Sequence, residues 1–444
     1  MKRSYNFRFI FSLIILLVSG GIQLATAQVL TLEQAINAAL EKNYDIRLAR
    51  TDSASYALDN QYAVMAFIPR FNATASKVWN NNAQKQELSS GVKRDTSGLK
   101  SNNLSAAINM NWTLFDGLKM FATREKLQEL ETLGGLGVKN SVINTVADVI
   151  NIYFGIVRQK QQLKAIEELM SISEERVTLA ERKLSSGLGS KPELLQARVD
   201  LNAQKSARLQ QQTLIAQLRE ELNQLIGFPN GEVYDVSDSI PVNTSIAYGD
   251  LINNLELTNP DLLIAKKNID IARLTVKERR ADLLPVLSFN SAYNFSRNAN
   301  QAVINSFTPL FNQNRGFSYG FGLSIPILNG FNTRRLIKQA ELDVQYLQLS
   351  FENRAALLNT GLTNAYKNYN LQIKLLALEE ENIELARENL NIAMVRFRQG
   401  VSTNLELREA QLSLEQAYNR LIAARYNTKL AETELLRLKG DLVK

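Results

Sequence analysis

Apolar and polar residues alternate one for one along residues 103–114 of the chain. Leu104, Ile108 and Trp112 share one side of this pattern, and the residues on the other side are polar except for Ala107. A period of two is typical of a β-strand, in which successive side chains point to opposite faces. Three further segments alternate in the same way: residues 70–79, 287–296 and 317–325. The pattern therefore predicts four strands, each with one apolar face, and the strand at 70–79 is the least regular.

The predicted strands are about ten residues long, and their length and patterning are typical of the wall of a membrane β-barrel. A half-buried strand of a soluble antiparallel sheet has the same period, so a single strand leaves both interpretations open. Four strands of matching length in two hairpins favour the barrel. The polar segments between paired strands, residues 80–100 and 298–315, are predicted to be loops outside the cell.

Four strands are too few to close a barrel, because the smallest membrane barrels have about eight. The predicted barrel must therefore be shared between copies of the chain. A dimer and a trimer both satisfy this requirement, and the strand pattern does not choose between them.

Two segments, residues 117–184 and 330–397, contain nothing that breaks a helix. At 1.5 Å per residue, each predicted helix would span about 100 Å, which no compact domain accommodates. Two apolar tracks with a spacing of seven residues run along the second segment: Leu376, Ile383, Leu390 and Phe397, and then Leu378, Leu385 and Ile392. Two opposed tracks predict a helix with neighbours on both sides, as in a tunnel wall. A simple multi-helix bundle is the alternative.

The chain repeats itself, since landmarks recur at one constant offset. The matching pairs are Gly117 and Gly330, Gly187 and Gly400, Glu193 and Glu406, and Gly227 and Gly440. Each copy is predicted to contain a helix, two strands, a very long helix and a return helix. The first copy covers residues 28–229 and the second residues 250–444, joined by a linker at 230–249. In the first copy, Thr31 and Gln34 predict a capping box for a helix that breaks near Asn43.

The first 27 residues are predicted to be a cleaved signal peptide rather than part of the fold. Lys2, Arg3 and Arg8 provide its basic region, an apolar run follows at residues 9–18, and small residues precede Gln28. A single transmembrane anchor is the alternative. Elsewhere no stretch approaches the roughly 18 apolar residues of a membrane-spanning helix.

The chain contains no Cys and no His, which removes several kinds of chemistry at once. Disulfides, Cys/His metal sites and catalytic triads are excluded. The net charge of +7 is mild and well mixed, so nothing indicates a nucleic-acid partner. Neighbouring glutamates such as Glu379 and Glu380 do not face each other on a helix and make no catalytic pair. We therefore predict a protein that is not an enzyme and needs no metal or other cofactor.

Several motifs, in order and twice over, resemble the TolC-like outer-membrane efflux proteins over essentially the whole mature chain. They are the opening at residues 30–35 with Asn43-Tyr44-Asp45, the strand-end turns at 115–117 and 328–330, and the helix-tip motifs at 184–188 and 397–401. The resemblance implies an α+β membrane protein: a homotrimer with a twelve-stranded β-barrel, four strands per chain, continued by a long α-helical barrel. It places the protein in lipid of the cell outer membrane, extending into the periplasm.

The resemblance also implies the sites of assembly. Glycine turns at the periplasmic helix tips are the adaptor-docking positions of the family, and here they are Gly187 with Leu188 and Gly400 with Val401. Glycine suits these positions, because a helix that ends in a left-handed cap favours it. The implied partners are a periplasmic adaptor (membrane fusion) protein and an inner-membrane transporter.

A pore constriction is the second implied site. Glu406 and Glu409 match paired acidic residues of the family; a solvated charge pair is the alternative. Being three apart, they share one helix face, and a ring of carboxylates would favour cations. Glu193 is their counterpart in the first repeat, where Gln196 stands in the second position, and Phe397 replaces a gating Tyr. Ser402 stands where the best-studied pattern has an Arg, so we predict a different or weaker closing salt bridge that uses Arg398 or Arg408.

These features predict the exit duct of a tripartite efflux pump, which passively conducts drugs, toxic compounds or metal ions out of the cell. A type I protein-secretion channel is one alternative. A periplasmic coiled-coil scaffold without a pore is another, from a different class. The sequence does not name the cargo.

Overall fold

A computed structural model describes residues 29–253, 255–304 and 307–442 of the chain. The predicted signal peptide, residues 1–27, lies outside the described residues. The chain divides into two compact units. One contains the N-terminal part up to Leu48, Asn140–Asn259 and the C-terminal part from Leu358, and the other contains Ala49–Lys139 and Pro260–Leu357.

Helices dominate the first unit, and the second holds the large sheet. In chain order the helices are α1 (Leu32–Lys42), α2 (Tyr44–Tyr62), α3 (Lys119–Ser185), α4 (Lys191–Ile226), α5 (Tyr248–Ile252), α6 (Leu255–Thr258), α7 (Pro260–Ala281), α8 (Asn332–Arg398) and α9 (Asn404–Lys439). The strands are β1 (Val29–Leu30), β2 (Arg70–Glu87), β3 (Lys93–Phe115), β4 (Asp235–Val236), β5 (Val286–Asn300) and β6 (Phe311–Ser324). A 3₁₀ turn, Ala63–Phe67, precedes β2.

The four long strands form one antiparallel sheet in the order β2-β3-β5-β6. The register places Ile108 beside Tyr293, and Tyr293 beside Phe317, so the apolar positions of neighbouring strands share a face. That face is open in the single chain: Phe317, Tyr319 and Phe321 are 66%, 72% and 73% exposed. The predicted strands and their alternation are therefore confirmed, and the apolar face has no partner within the described residues.

The strands extend well beyond the predicted segments, so the loops predicted at 80–100 and 298–315 were wrong in extent. β2 continues to Glu87 and β3 begins at Lys93, which leaves a short turn between them. In the second hairpin, β5 ends at Asn300 and β6 begins at Phe311. Polar composition gave the wrong boundary because backbone pairing and cross-strand contacts hold a strand whose two faces are both polar. One such contact joins Lys85 to Asp95 at 2.9 Å.

The two long helices are close to the prediction. Each contains 67 residues, about 100 Å at the α-helical rise. The apolar tracks of α8 differ in environment. Ile383, Leu390 and Phe397 of one track are buried in a cluster with α9, whereas Leu378, Leu385 and Ile392 of the other track are exposed. One side of α8 therefore packs within the chain and the other has no cover in a single copy.

Helix α3 contains an 18-residue window that is apolar enough, by length and composition, to cross a membrane. We expected no such stretch after the signal peptide. However, 61% of that window is buried inside the chain, and Tyr153, Phe154 and Ile156 of α3 are at most 2% exposed. Packing in the core of the first unit explains the apolar run.

Equivalent asparagines tie equivalent helix ends in the two halves of the sequence. Asn43 Nδ2 donates to the carbonyl of Leu225 at 2.9 Å, and Asn259 Nδ2 donates to the carbonyl of Leu438 at 2.8 Å. Both asparagines are buried, and each carbonyl lies in the last turn of a return helix that ends at a glycine. The helix break predicted near Asn43 is confirmed, and its amide serves as a tertiary hydrogen-bond donor.

The segment predicted as a linker, residues 230–249, contains regular structure. β4 pairs in parallel with β1 at the start of the described chain, and α5 begins at Tyr248. Lys160 of α3 stabilises this pairing: its ammonium lies 2.7 Å from Asp235 Oδ1 and donates to the carbonyl of Val236 at 2.9 Å. The Pro and Asn-Gly signals of this segment obscured a strand only two residues long.

Candidate functional site at the helix tips

Each long helix ends at a glycine in a left-handed conformation. Gly187 and Gly400 have φ angles of +75° and +77°, which cost an L side chain roughly 1 kcal/mol or more. At each tip, the N–H of the residue after the glycine donates to the carbonyl four residues before the glycine. The pairs are Leu188 to Lys183 and Val401 to Arg396, both at 2.9 Å. The sequence-predicted tip turns are therefore present and share one hydrogen-bond pattern.

The return helices begin with side-chain caps. Ser190 and Glu193 form a capping box, in which the Glu193 carboxylate accepts from the N–H of Ser190 at 3.4 Å. Thr403 Oγ1 accepts from the N–H of Glu406 at 3.2 Å. Glu193 is thus engaged in capping its own helix, whereas the carboxylate of Glu406 is left free for other contacts.

Apolar side chains project from both tips into solvent. Leu188, Val401 and Leu405 are 84%, 66% and 64% exposed. A cluster of exposed apolar residues can mark a surface that binds another protein. Lys183 Nζ donates to the carbonyl of Phe397 at 3.3 Å, which brings the two tips together.

Glu406 and Glu409 lie in the first turns of α9, and both are exposed. The nearest cation to Glu406 is Arg396, with 4.0 Å between Nη2 and Oε2, and both side chains are about half exposed. Within the described residues, Glu409 makes no salt bridge. This charge pair is therefore weakly compensated inside one chain, and solvent screens the contact with Arg396.

Phe397 lies inside the helix packing of a single chain. Its side chain is 4% exposed and belongs to the buried cluster of α8 and α9. The ammonium of Lys183 lies 3.8 Å from the ring centroid, a cation–π contact. In one chain the ring therefore packs against helices, and its place at a constriction stays a prediction.

A buried charge cluster connects the two halves of the sequence, and sequence reasoning missed its centre, Arg176. Arg176 is 1% exposed; its guanidinium pairs with Asp200 of α4 and donates to Gln411 Oε1 of α9 at 2.8 Å. Arg408 Nε lies 3.4 Å from the same carboxylate oxygen of Asp200. Gln411 in turn donates to Ser173 Oγ at 2.7 Å. Such a buried ion pair is sensitive to the loss of either partner.

Two further contacts join α3 to the helices of the second half. Arg398 Nε donates to Glu175 Oε1 at 2.8 Å, so both arginines predicted for a closing salt bridge, Arg398 and Arg408, pair with carboxylates of the first half. Nearer the middle of α3, Tyr418 Oη donates to Glu168 Oε2 at 2.7 Å. Burial, followed by the hydrogen bond to Glu168, raises the pKa of Tyr418, and the phenol therefore remains a donor at neutral pH.

One signal in the sequence could have identified Arg176. The buried positions of α3 near the tip, Ala165, Leu169 and Ser173, lie at helical spacing, and Arg176 continues the same side. A cation on a buried stripe requires a partner, because desolvating an unpaired charge is costly. Asp200 and Gln411 could not be assigned to it from the sequence, since both are distant along the chain.

An amphipathic sheet of four long strands, joined in sequence to two very long helices with paired tips, defines the class of outer-membrane channel folds. A family model described as outer membrane efflux protein matches residues 35–228 and 251–441. The chain therefore belongs to the outer membrane efflux protein family, and the TolC-like resemblance of its motifs is confirmed.

Known relatives and solved structures are similar over most of the chain. The outer membrane protein TolC of Vibrio cholerae is 24% identical and covers 89% of this chain and 86% of that protein. The alkaline protease secretion protein AprF of Pseudomonas aeruginosa is 22% identical over 66% of this chain and 61% of its own length. The structure of the Campylobacter jejuni CmeC outer membrane channel superposes with a TM-score of 0.76 at 16% identity, covering 93% of this chain and 86% of that one. The predicted outer-membrane localisation is confirmed by these relatives.

Proposed function

We propose that three copies of this chain form a twelve-stranded outer-membrane barrel continued by a helical tunnel. The assembly passively conducts small molecules (drugs, toxic compounds or metal ions) from an inner-membrane transporter and a periplasmic adaptor to the outside. It performs no bond chemistry, and the partner transporter supplies the energy.

The main support for this proposal is the four-stranded sheet with its two open edges. Its outer strands, β2 and β6, each have a single neighbour in one chain, so both edges present unpaired backbone groups. In lipid these groups must be paired, because an open sheet edge cannot be satisfied there. Pairing β6 of one copy with β2 of the next satisfies both edges and leaves the apolar face of Phe317, Tyr319 and Phe321 toward lipid.

The exposed track of α8 supports the same assembly. Leu378, Leu385 and Ile392 are 56%, 63% and 49% exposed, and apolar residues at this spacing are typical of helix–helix interfaces. A neighbouring copy would cover them. The helices would then enclose a tunnel with neighbours on both sides of α8.

Glu406 and Glu409 are proposed to line the narrow end of the tunnel, with Glu193 and Phe397 nearby. Three copies would bring six carboxylates from the Glu406 and Glu409 positions around the axis. A ring of weakly compensated carboxylates attracts cations and repels anions. The contacts of Arg398 and Arg408 with α3 and α4 are proposed to hold this end closed.

Single-channel recording in a planar lipid bilayer tests the proposal, with ion selectivity taken from the reversal potential. We expect discrete, cation-preferring conductance from the wild-type protein and a marked loss of cation preference from the E406Q/E409Q double variant. The E33Q/E41Q variant is the matched control, since it removes the same charge from exposed positions of α1. Equal selectivity in all three proteins would refute the acidic constriction.

The exposed residues Leu188 and Val401 are proposed to contact the adaptor, together with their glycines Gly187 and Gly400. Site-specific photocrosslinkers at Leu188 and Val401 in living cells test this contact. Adducts with a periplasmic protein should form at both tips and not at Leu209, which is 60% exposed on the shaft of α4. Adducts of equal yield at all three positions would contradict tip docking.

Similarity to AprF favours a second candidate, the outer-membrane channel of a type I protein secretion system. A strain lacking the gene separates the two. Accumulation of a fluorescent drug inside the cells would support efflux, and loss of a specific protein from the medium would support secretion. A protein that never enters the membrane fraction would leave a periplasmic scaffold as the remaining candidate.

A further inference from the structure

The apolar face of the sheet ends in a set of cations. Lys77 of β2, Arg297 of β5 and Arg315 of β6 lie on this face, because the register pairs Lys77 with Leu104, Leu104 with Arg297, and Phe295 with Arg315. All three are exposed. They occupy two adjacent rows of the sheet, directly beyond the row of Tyr293 and Phe317 on the side where the hairpins turn.

Each cation is stacked on an aromatic ring of the same face. Lys77 Nζ lies 4.9 Å from the ring centroid of Trp79, Arg297 Cζ lies 5.3 Å from that of Phe311, and Arg315 Cζ lies 5.6 Å from that of Phe295. Such contacts restrict the side chains to the sheet surface. Alternating aromatic and cationic residues are typical of the level where a membrane protein leaves the hydrocarbon and meets the headgroups.

Carboxylates do not neutralise these charges. β5 and β6 contain no Asp or Glu, and Arg297 and Arg315 are the sole charged residues of their strands. The acidic residues of β2 and β3, Glu87 and Asp95, lie at the far end of the hairpin and pair with Lys93 and Lys85. In the described part of the chain, none of the three cations of the apolar face makes a salt bridge.

The positions of the three cations relative to the apolar band also indicate a place at the membrane interface. A lipid-facing Arg or Lys is strongly unfavourable at the bilayer midplane and far less so near the interface. All three cations avoid the middle of the apolar band and lie at its hairpin end. Below them, Phe71, Ile108, Tyr293 and Phe317 line a shallow apolar depression. Cations directly above an apolar depression match the two parts of a lipid, a charged headgroup and an acyl chain.

We propose that Lys77, Arg297 and Arg315 form a binding site for the phosphate groups of lipid headgroups in the outer leaflet, with acyl chains on the apolar depression. The proposal rests on the proposed barrel, since only then does this face meet lipid. Arginine donates paired N–H groups to phosphate, and each cation near an anionic lipid surface adds to affinity. The ligand class is therefore a phosphorylated lipid rather than a neutral one.

Native mass spectrometry of the detergent-solubilised protein with added diphosphorylated lipid A tests the site. The K77Q/R297Q/R315Q variant should bind this probe at least about tenfold more weakly than the wild type. The R70Q/K85Q/K93Q variant is the matched control, because it removes the same charge from the same sheet outside the site, and it should bind like the wild type. Dephosphorylated lipid A should bind the wild type and both variants equally weakly.

Equal affinity of the two triple variants for diphosphorylated lipid A would overturn the proposal. Displacement of the lipid by millimolar inorganic phosphate would show a free-anion site and would overturn the lipid assignment. Conductance measured in a neutral phosphatidylcholine bilayer distinguishes failure of the lipid-binding site from failure of the proposed channel function. The K77Q/R297Q/R315Q variant should conduct there like the wild type, whereas a wild-type protein that forms no channel would refute the barrel itself.

Discussion

Arg408 Nε of α9 lies 3.4 Å from Asp200 Oδ2 of α4, and the same oxygen is paired with the buried Arg176 of α3. One carboxylate is therefore shared by two arginines from different halves of the sequence. Its other oxygen accepts from Gln196 Nε2 at 2.8 Å. Asp200 of α4 therefore connects α3 and α9 through one carboxylate.

Asp200→Asn should destabilise this end of the protein and increase channel opening. Removal of the carboxylate charge leaves Arg176 buried without a counterion, and breaking a buried pair in this way costs about 3 kcal/mol or more. Thermal unfolding of the purified protein should shift down by several degrees, and single-channel recordings should show a larger open fraction.

Glu181→Gln is the control for this prediction. Glu181 also pairs with an arginine of α4, Arg198, at 2.8 Å, but both side chains are about half exposed. An exposed ion pair contributes at most about 1 kcal/mol, so E181Q should leave both measurements nearly unchanged. An equal effect of the two variants would contradict a special role for Asp200.

Asn43→Ala and Asn259→Ala should destabilise the protein to a similar degree. Each substitution removes the amide donor to a carbonyl in the last turn of a return helix, Leu225 or Leu438. A partly buried carbonyl left without its partner costs about 1 kcal/mol. Thermal unfolding measures the loss, and Asn202→Ala, at an exposed position of α4, should cause none. A loss for one asparagine alone would argue against equivalent roles.

The sequence was sufficient to predict the strands and the long helices, because their signals are local. The alternation around Ile108 and the apolar track of Leu390 each follow from the period of one element. The outer parts of the hairpins were not predictable in this way. The strand segments around Lys85 and Asp95 have no apolar face, and their strand conformation depends on pairing with the neighbouring strand.

The candidate site was predicted only where its residues are close in sequence. The glycine turns and the position of Glu406 in the first turn of α9 follow from local signals. The pairing of Arg398 with Glu175 and of Arg408 with Asp200 depends on how distant helices pack. The capping role of Glu193 is predictable from Ser190 three residues earlier, whereas its match to Glu406 predicted a role in the pore.

Lys160→Gln should reduce stability in a window of pH. Burial favours a higher pKa for Asp235, but hydrogen bonds from Lys160 and the N–H of Val236 outweigh it, so that the pKa is lowered from 3.8. Burial opposes the charge of Lys160, but the hydrogen bonds that its ammonium donates to Asp235 and Asp238 raise its pKa above 10.5. A carboxyl group whose pKa is lowered by folding stabilises the fold at pH values above its ordinary pKa, and this stabilisation is lost in acid. An amine whose pKa is raised by folding stabilises the fold at pH values below its ordinary pKa, and this stabilisation is lost in base.

The difference in unfolding temperature between the wild type and K160Q should therefore be largest between about pH 4 and 10. It should shrink as the pH falls below 4, where Asp235 becomes protonated. Thermal unfolding at pH 3, 5 and 7 gives the comparison. Lys164→Gln removes an exposed cation one turn away on α3 and should show no such dependence. A difference that is constant with pH would contradict the ion-pair origin.

Leu385→Asn should dissociate the proposed trimer without unfolding the chain. Leu385 is 63% exposed in one copy, whereas Leu390, on the other track of α8, is 6% exposed. If a neighbouring copy covers the exposed track, a polar residue at 385 places an unsatisfied amide in the interface, which is costly. Light scattering coupled to size-exclusion chromatography should show a loss of trimer for L385N, with helical circular dichroism retained. Leu390→Asn should instead lower the unfolding temperature, because it disrupts packing within the chain. A fully trimeric L385N protein would show that this side of α8 is not the interface.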